Sequence, residues 1–457
     1  MTSTGPSRGE SGSPPAGLTP LLTRWGESLD RDCPLNEYPR PQMRRDQWEC
    51  LNGPWLYAIR PVKPQSDAEW EGEIVVPFSP ESLLSGVGRQ LLPGQTLWYH
   101  REVTWVECLP GQRRLLHFGA VDQRCQVWVN GALVGSHVGG YWPFVLDVTA
   151  ETQAGVNVIE LAVQDDSDAG IEAYGKQKLR RGGIWYTAQS GVWQTVWSEL
   201  VPEVHIVELV VEPRLGRSDG GGAASFGQAG RGETRGPSGL DACDTVSVRL
   251  IPSRPGAIMP GDVTVLAEGA VVATAPLHDN EAVLQLPRSR RWTPDDPYLY
   301  DIEARAGTDR VTSYVGLREF GVGAGVGSRP CLTLNGRPIF HNGLLDQGYW
   351  SDGLYTPPSD EAMVHELTTL KSLGYTMVRK HIKIEPLRWY YHCDRLGLLV
   401  WQDCVSGGGP YNRFVIQAAP WLGLNFGDGP RRYGLHGRSS PAGRQAYERD
   451  LARTVSL

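Results

Sequence analysis

Between residues 44 and 200, apolar and polar residues alternate in short runs broken by turn residues. That period of two belongs to strands with one face in a core and the other in water. The stretch from Gln126 to Val134 shows it most plainly. Val127 and Val129 alternate with Gln126 and Trp128, Asn130-Gly131 supplies the strongest short hairpin signal, and Ala132-Leu133-Val134 resumes the run. The pattern predicts a jelly-roll-like β-sandwich over 23–200. Residues 201–325 repeat it in shorter runs: 204–211, 245–251, 263–267, 271–274, 282–286, 299–304 and 311–315. Seven short strands in that length predict a second, immunoglobulin-like sandwich. Residues 216–239 hold nine glycines in 24 positions, which predicts a flexible insertion at a loop tip.

From 326 onward the period changes. Residues 339–345 read as a strand, and Ser359 to Leu373 as a helix with Asp360 and Glu361 in its first turn and Gly374 just past its end. Thr376 to Ile382 is a second strand, Pro386 opens a second helix that Gly397 ends, and Leu398 to Gln402 is a third strand. Residues 444–455 carry Tyr447, Leu451 and Val455 at helical spacing and read as a third helix over the same sheet. Strand and helix alternate as in a (β/α)8 barrel, which needs eight strands and typically about 250 residues. Residues 326–457 therefore predict an incomplete TIM barrel, truncated before its fourth strand.

Composition narrows the partners. Hydrophobic residues make up 40% and charged residues 21% of the 457, and the net charge is −7, so no basic face recommends nucleic acid. No run of 18 apolar residues occurs, and no membrane partner is expected. Residues 1–22 are rich in Ser, Gly and Pro without an apolar stretch, which predicts a disordered tail and no secretory signal. The eight cysteines form no C-x-x-C pair and read as reduced thiols, so a cytoplasmic protein is expected. Eleven of the sixteen tryptophans fall in residues 1–200, where a sandwich uses them as core. The ten histidines show no ligand spacing, and His365-Glu366 lacks the second histidine of a zinc motif. No metal or other cofactor is expected, a site completed by residues outside the chain staying open.

Six local sequences in order resemble glycoside hydrolase family 2, the β-galactosidases, β-glucuronidases and β-mannosidases. They are Leu51-Asn52-Gly53-Pro54-Trp55; Gly139-Gly140-Tyr141-Trp142-Pro143-Phe144 with Asp147-Val148-Thr149; Ser190-Gly191-Val192-Trp193-Gln194, with Gln194 where Arg is usual; Trp292-Thr293-Pro294 through Tyr300; Gly316-Leu317-Arg318-Glu319; and Leu334-Asn335-Gly336-Arg337-Pro338. The resemblance implies hydrolysis of β-glycosides by a retaining mechanism with two glutamates, a carbohydrate substrate, and allows a homo-oligomer. Strand alternation makes Met377, Arg379 and His381 share one face of their strand, and likewise Leu399, Trp401 and Asp403 one face of theirs. Polar residues late in barrel strands reach the catalytic mouth of that fold. Asp346, Arg379, His381, Trp401 and Asp403 are thus the expected substrate-binding residues. The family commonly reads R-x-S-H-Y-P here, whereas this chain has Arg379-Lys380-His381-Ile382-Lys383-Ile384, with His381 where Ser is usual.

The resemblance places the acid/base glutamate after an Asn at the end of the fourth strand and the nucleophile on a later strand. Asn36-Glu37 and Asn280-Glu281 lie in the sandwiches and read as turns, and Glu385 precedes Pro386 at the start of a helix. Both catalytic glutamates are therefore expected beyond Leu457, and the chain alone is expected to be inactive. The competing reading is a non-catalytic carbohydrate-binding or interaction protein of two sandwiches and a vestigial barrel segment.

Overall fold

The protein is described from a computed structural model that covers residues 21–61, 69–216, 243–325 and 329–457, apart from positions 410, 413 and 428 and the side chains of 416 and 417. The predicted tail, up to residue 20, and the glycine-rich insertion from 217 onward lie outside the described residues.

Two antiparallel sheets form the first unit. One runs Gly72–Val76, Gly53–Pro61, Gln95–Trp105, Gly155–Gln164, Arg124–Val129, Ala132–Val138; the other runs Trp48–Cys50, Val196–Pro202, Gln112–Phe118, Phe144–Asp147. Alternate residues of both sheets meet in one core, including Trp55, Tyr99, Phe118, Val127, Ile159 and Val196. Each such side chain contributes about 1.5–3 kcal/mol on burial. The hairpin at Asn130-Gly131 forms because both residues take positive φ, 51° and 81°, as a two-residue strand connection requires.

Asp165 and Asp122 are among the carboxyl groups buried in this unit. Asp165 accepts from Ser167 N at 2.6 Å and from Ser190 Oγ at 2.9 Å, and Asp122 accepts from Gln177 Nε2 at 2.8 Å. Burial pushes the pKa of Asp165 up to about 6, and burial followed by the charge of Asp165 raises that of Asp122. The folded state thus holds protons that the unfolded chain releases near pH 4. This contribution is full at low pH and is lost as pH rises through about 6. Asp165→Asn, which keeps the acceptor oxygen without the charge, is expected to remove a pH-dependent loss of roughly 2–3 kcal/mol. Thermal melts at pH 4 and pH 7 check this: the wild type should drop relative to the variant at the higher pH.

In the second unit, all seven segments read as strands do form strands. Ile206–Arg214, Asp244–Pro252 and Glu281–Leu286 make one sheet; Ala270–Pro276, Gly261–Ala267, Tyr300–Ala306 and Asp309–Val315 make the facing one. Val246, Val248, Val263, Ile302 and Val311 fill the space between them. The units are joined by Arg45, whose guanidinium lies 3.1 Å from Glu199 of the first and 2.9 Å from Asp309 of the second.

A small antiparallel sheet, Phe320–Ala324, Pro330–Leu334 and Arg337–Pro338, turns at Asn335-Gly336, again with positive φ. A three-stranded parallel sheet follows: β1 (Gly343–Asp346), β2 (Met377–Lys380) and β3 (Leu399–Gln402), in that order. Helix α1 (Asp360–Ser372) joins β1 to β2, and α2 (Leu387–Leu396) joins β2 to β3. Ser359 caps α1 by accepting from Ala362 N at 3.1 Å, and Gly397 ends α2 in the left-handed region. Strand β1 is shorter than the alternation predicts: it is an edge strand, Phe340 is 83% exposed, and pairing with β2 starts only at Gly343.

The last helix, α3 (Pro441–Ser456), forms but does not cover the parallel sheet as predicted. Its buried residues are Gly443, Ala446 and Asp450, while Leu451 and Val455 stay exposed. It lies on the first unit through polar contacts: Arg449 to Glu172 at 2.5 Å, Arg453 Nη1 to Val138 O at 2.8 Å, and Trp142 Nε1 to Thr454 Oγ1 at 3.3 Å. Among the described residues no helix is long and apolar enough to cross a membrane.

Candidate functional site

The two faces of the parallel sheet differ. Val378 and Val400 point at the helices and pack with Met363, Leu367, Trp389 and Cys393. Leu345, Arg379 and Trp401, neighbours in register, point the other way, with exposures of 47%, 50% and 47%. Parallel sheets are ordinarily covered on both faces; here the second face is covered only at its base, where Met377 and Leu399 pack with Trp292 and Leu334, and is open toward the strand ends among the described residues.

On this open face Arg379 Nε stands 3.0 Å from Asp403 Oδ1. Trp401 Nε1 donates to His341 Nδ1 at 2.9 Å. His381 continues the ladder beyond β2, its N–H donating to Asp346 O at 2.8 Å, and Asp403 does so beyond β3 by donating to Lys380 O at 3.1 Å. Arg379, His381, Trp401 and Asp403 therefore gather at the C-terminal ends of β2 and β3. Burial, then the positive charge of Lys176, lowers the pKa of His381, so the ring is biased toward its neutral form.

Asp346 does not join that group. Its side chain is 7% exposed and faces the helices, with Oδ2 2.7 Å from the ammonium of Lys380 and Oδ1 accepting from Gly348 N at 2.8 Å. Period-two alternation explains the difference, because Asp346 is in register with Lys380 and not with Arg379. Lys380 also contacts Glu385 Oε1 at 2.7 Å, and that oxygen accepts from Lys383 at 2.8 Å. Lys383 donates further to Gly348 O and Tyr355 O at 2.7 and 2.8 Å. Both lysine side chains are fully buried, Lys380 against the face of Trp389 at 4.3 Å. Burial opposes the charge on Lys380, but Glu385 and Asp346 hold its pKa above the ordinary lysine value. Glu366 of α1 faces the same cluster, where burial and then the charge of Asp346 push its pKa up to about 7.

Sequence reasoning treated Glu385 as part of the start of a helix and passed over Lys380 and Lys383. One signal was present: the alternation that turns Arg379 to the open face turns Lys380 to the helices.

The first unit reaches the strand ends through residues 171–178. Tyr174 N and Gly175 N both donate to Ser406 O at 2.9 Å, Gly408 N donates to Ile171 O at 2.8 Å, and Ala173 bridges to Gly407. The glycine run after β3, Gly407-Gly408-Gly409, is held by close backbone approach: a Cβ on Gly407 would lie 2.4 Å from Glu172 O. Tyr141, Trp193, Tyr355 and Ile384 form a shared apolar cluster behind this junction.

Residues 92–189, which include the docking loop, match the family description "Glycosyl hydrolases family 2, sugar binding domain". The chain is 24% identical over 381 residues to a putative β-glucuronidase of Formosa agariphila, covering 79% of this chain and 42% of that protein. It is 25% identical over 300 residues to a β-galactosidase of Halalkalibacterium halodurans, covering 62% and 26%. The chain thus spans less than half the length of these curated relatives. Its fold resembles that of Ruminococcus gnavus β-glucuronidase, with a TM-score of 0.63 at 19% identity, covering 81% of this chain and 59% of that one.

Proposed function

Because the chain belongs to glycoside hydrolase family 2, we propose that it is the N-terminal part of an enzyme that hydrolyses O-glycosyl bonds of β-glycosides, in the manner of a β-galactosidase. The observation that carries this reading is the meeting of two parts. The loop 171–178 of the sugar-binding-type unit docks on the strand ends that hold Arg379, His381, Trp401 and Asp403. In this reading the second unit is an immunoglobulin-like sandwich, and β1, β2 and β3 are the first strands of a (β/α)8 barrel, whose active sites lie at the C-terminal face.

The roles follow from chemistry. Asp403 accepts hydrogen bonds from sugar hydroxyls, Arg379 holds that carboxylate in place from 3.0 Å, and the indole of Trp401 offers an apolar face to a sugar ring. A retaining mechanism needs two carboxyl groups about 5–5.5 Å apart, one acid/base and one nucleophile. Asp346 and Glu385 are tied into the lysine cluster and Asp403 into its pair with Arg379. The two catalytic glutamates are accordingly assigned to strands beyond Leu457, and the lengths of the relatives support that assignment.

Reading the coding DNA past codon 457 tests the assignment. An in-frame Asn-Glu within about twenty residues, one β/α step on, supports it. An immediate stop contradicts it and leaves a carbohydrate-binding protein. In the product of the complete frame, Asp403→Ala should cost about 1.5–3 kcal/mol in kcat/KM, by removing a charged acceptor from the site. Arg379→Ala should cost at least as much. Wild-type kcat/KM in two folded variants would make both residues structural.

A further inference from the structure

Segment 165–190 leaves the first unit after Gly155–Gln164 and rejoins it at Gly191–Val192, and its middle is the loop that docks on the strand ends. The docking is close: Gly408 N donates to Ile171 O at 2.8 Å, and a Cβ on Gly175 would lie 2.7 Å from Ile382 O. One hydroxyl closes the base of the segment. Ser190 Oγ stands 2.9 Å from Asp165 Oδ2 and 3.1 Å from Glu81 Oε1. Asp165 and Ser190 are the two ends of the segment, only 3% and 1% exposed. Glu81 holds the returning end a second time, its Oε2 accepting from Ser190 N at 3.0 Å.

A serine hydroxyl has one hydrogen to donate. It satisfies one of the two carboxylates, and the other contact then sets lone pair against lone pair. The chain Glu81–Ser190–Asp165 is complete only when one carboxyl carries a proton and donates it to Oγ. No cation stands in for that proton: among the described residues the partners of the two carboxyls are Leu91 N at 2.9 Å, Ser167 N at 2.6 Å and Ser190 itself. The charged and titratable groups that face the pair are Asp122, Asp166, Arg124 and Tyr99. Arg124, the cation of that set, stands 2.6 Å from Asp166, and the Tyr99 hydroxyl accepts from Val192 N at 3.1 Å. Burial pushes the pKa of Glu81 up to about 8 and that of Asp165 up to about 6. A carboxyl raised in this way gives a contact that is present in acid and lost as pH rises through the folded value.

We propose that the proton shared by Glu81, Ser190 and Asp165 is a pH-sensitive latch at the base of segment 165–190, closed in acid and released toward alkaline pH, that controls how firmly the loop docks on the ends of β2 and β3. When the proton passes to solvent, two buried negative charges face each other across one hydroxyl, and the two ends of the segment part. The latch is independent of which ligand the strand ends take.

Hydrogen exchange of the purified chain at about pH 5 and about pH 9, corrected for the intrinsic exchange rate, tests it. Protection of the amides of Tyr174, Gly175 and Gly408 should fall about tenfold or more at the higher pH, while residues 246–250 of the second unit keep theirs. Asp165→Asn places a permanent N–H donor opposite Ser190 Oγ and leaves its oxygen to Ser167 N, so docking should hold at both pH values. If that variant does not fold, Ser190→Ala serves: without the shared hydroxyl, its docking should no longer tighten in acid. Equal protection of the wild type at both pH values overturns the proposal. So does a fall that persists in folded Asp165→Asn, or tightening in acid that persists in Ser190→Ala. A fall of equal size across 246–250 also overturns it, because the whole chain and not the latch would then be responding.

Discussion

Lys380→Met is expected to destabilise the parallel β/α unit by about 3–5 kcal/mol, the usual cost of leaving a buried charge without its partner. Lys380 is 0% exposed and lies 2.7 Å from both Asp346 and Glu385, so its loss leaves buried Asp346 with no cation in contact, only the N–H of Gly348, and leaves Glu385 to Lys383 alone. The effect should reach the candidate site. The backbone oxygen of Lys380 accepts from Asp403 N, and that of Asp346 accepts from His381 N. Urea unfolding gives the stability change, and hydrogen exchange across 376–403 shows whether the strand ends loosen with it. A loss below about 1 kcal/mol would mean that the cluster is no more than an exposed ion pair in its energetics.

Arg45→Met should cost about as much, 3–5 kcal/mol, at the junction of the two β units. The guanidinium is 4% exposed and serves Glu199, Asp309 and, at 2.6 Å, the carbonyl of Ile206. Glu199 would keep Arg40, His117 and the hydroxyl of Tyr38, and Asp309 would keep the N–H of Ile206 at 2.8 Å. Burial opposes the charge on Glu199, but His117, Arg40 and Arg45 together hold its pKa well below the ordinary glutamate value. A depressed folded pKa gives stability that is present above the unfolded value, near 4.3, and is lost as pH falls. The wild type should therefore lose more stability than Arg45→Met on acidification below about pH 4.3. Melts across that range check the sign; parallel acid profiles would remove Arg45 from the account.

What could be read from the chain beforehand was what local pattern controls. The seven strands of the second unit were legible because Val246, Val248, Val263, Val265 and Ile302 alternate with polar residues and fill one core. The caps of α1 and α2 were legible because Ser359 and Gly397 do local work. Long-range partnerships were not. The apolar spacing of Tyr447, Leu451 and Val455 marks a helix but not its neighbour, and α3 docks by Arg449 and Arg453 on the first unit. Asp346 was expected beside Arg379, although one step of strand register turns it to the opposite face. Gly175 lies about two hundred positions from Ile382 in sequence, and only the hooked loop brings them together.

The most direct test of the central claim is the anomer first released by the product of the complete reading frame. Nitrophenyl β-galactoside, β-glucuronide and β-mannoside would be followed by NMR during early turnover, with the α-anomers as controls. The account predicts that at least one β-glycoside turns over and releases the β-anomer first, that the α-glycosides do not react, and that the 457-residue chain alone gives no turnover. No turnover of any β-glycoside by a folded product of the complete frame, or initial release of the α-anomer, would contradict it.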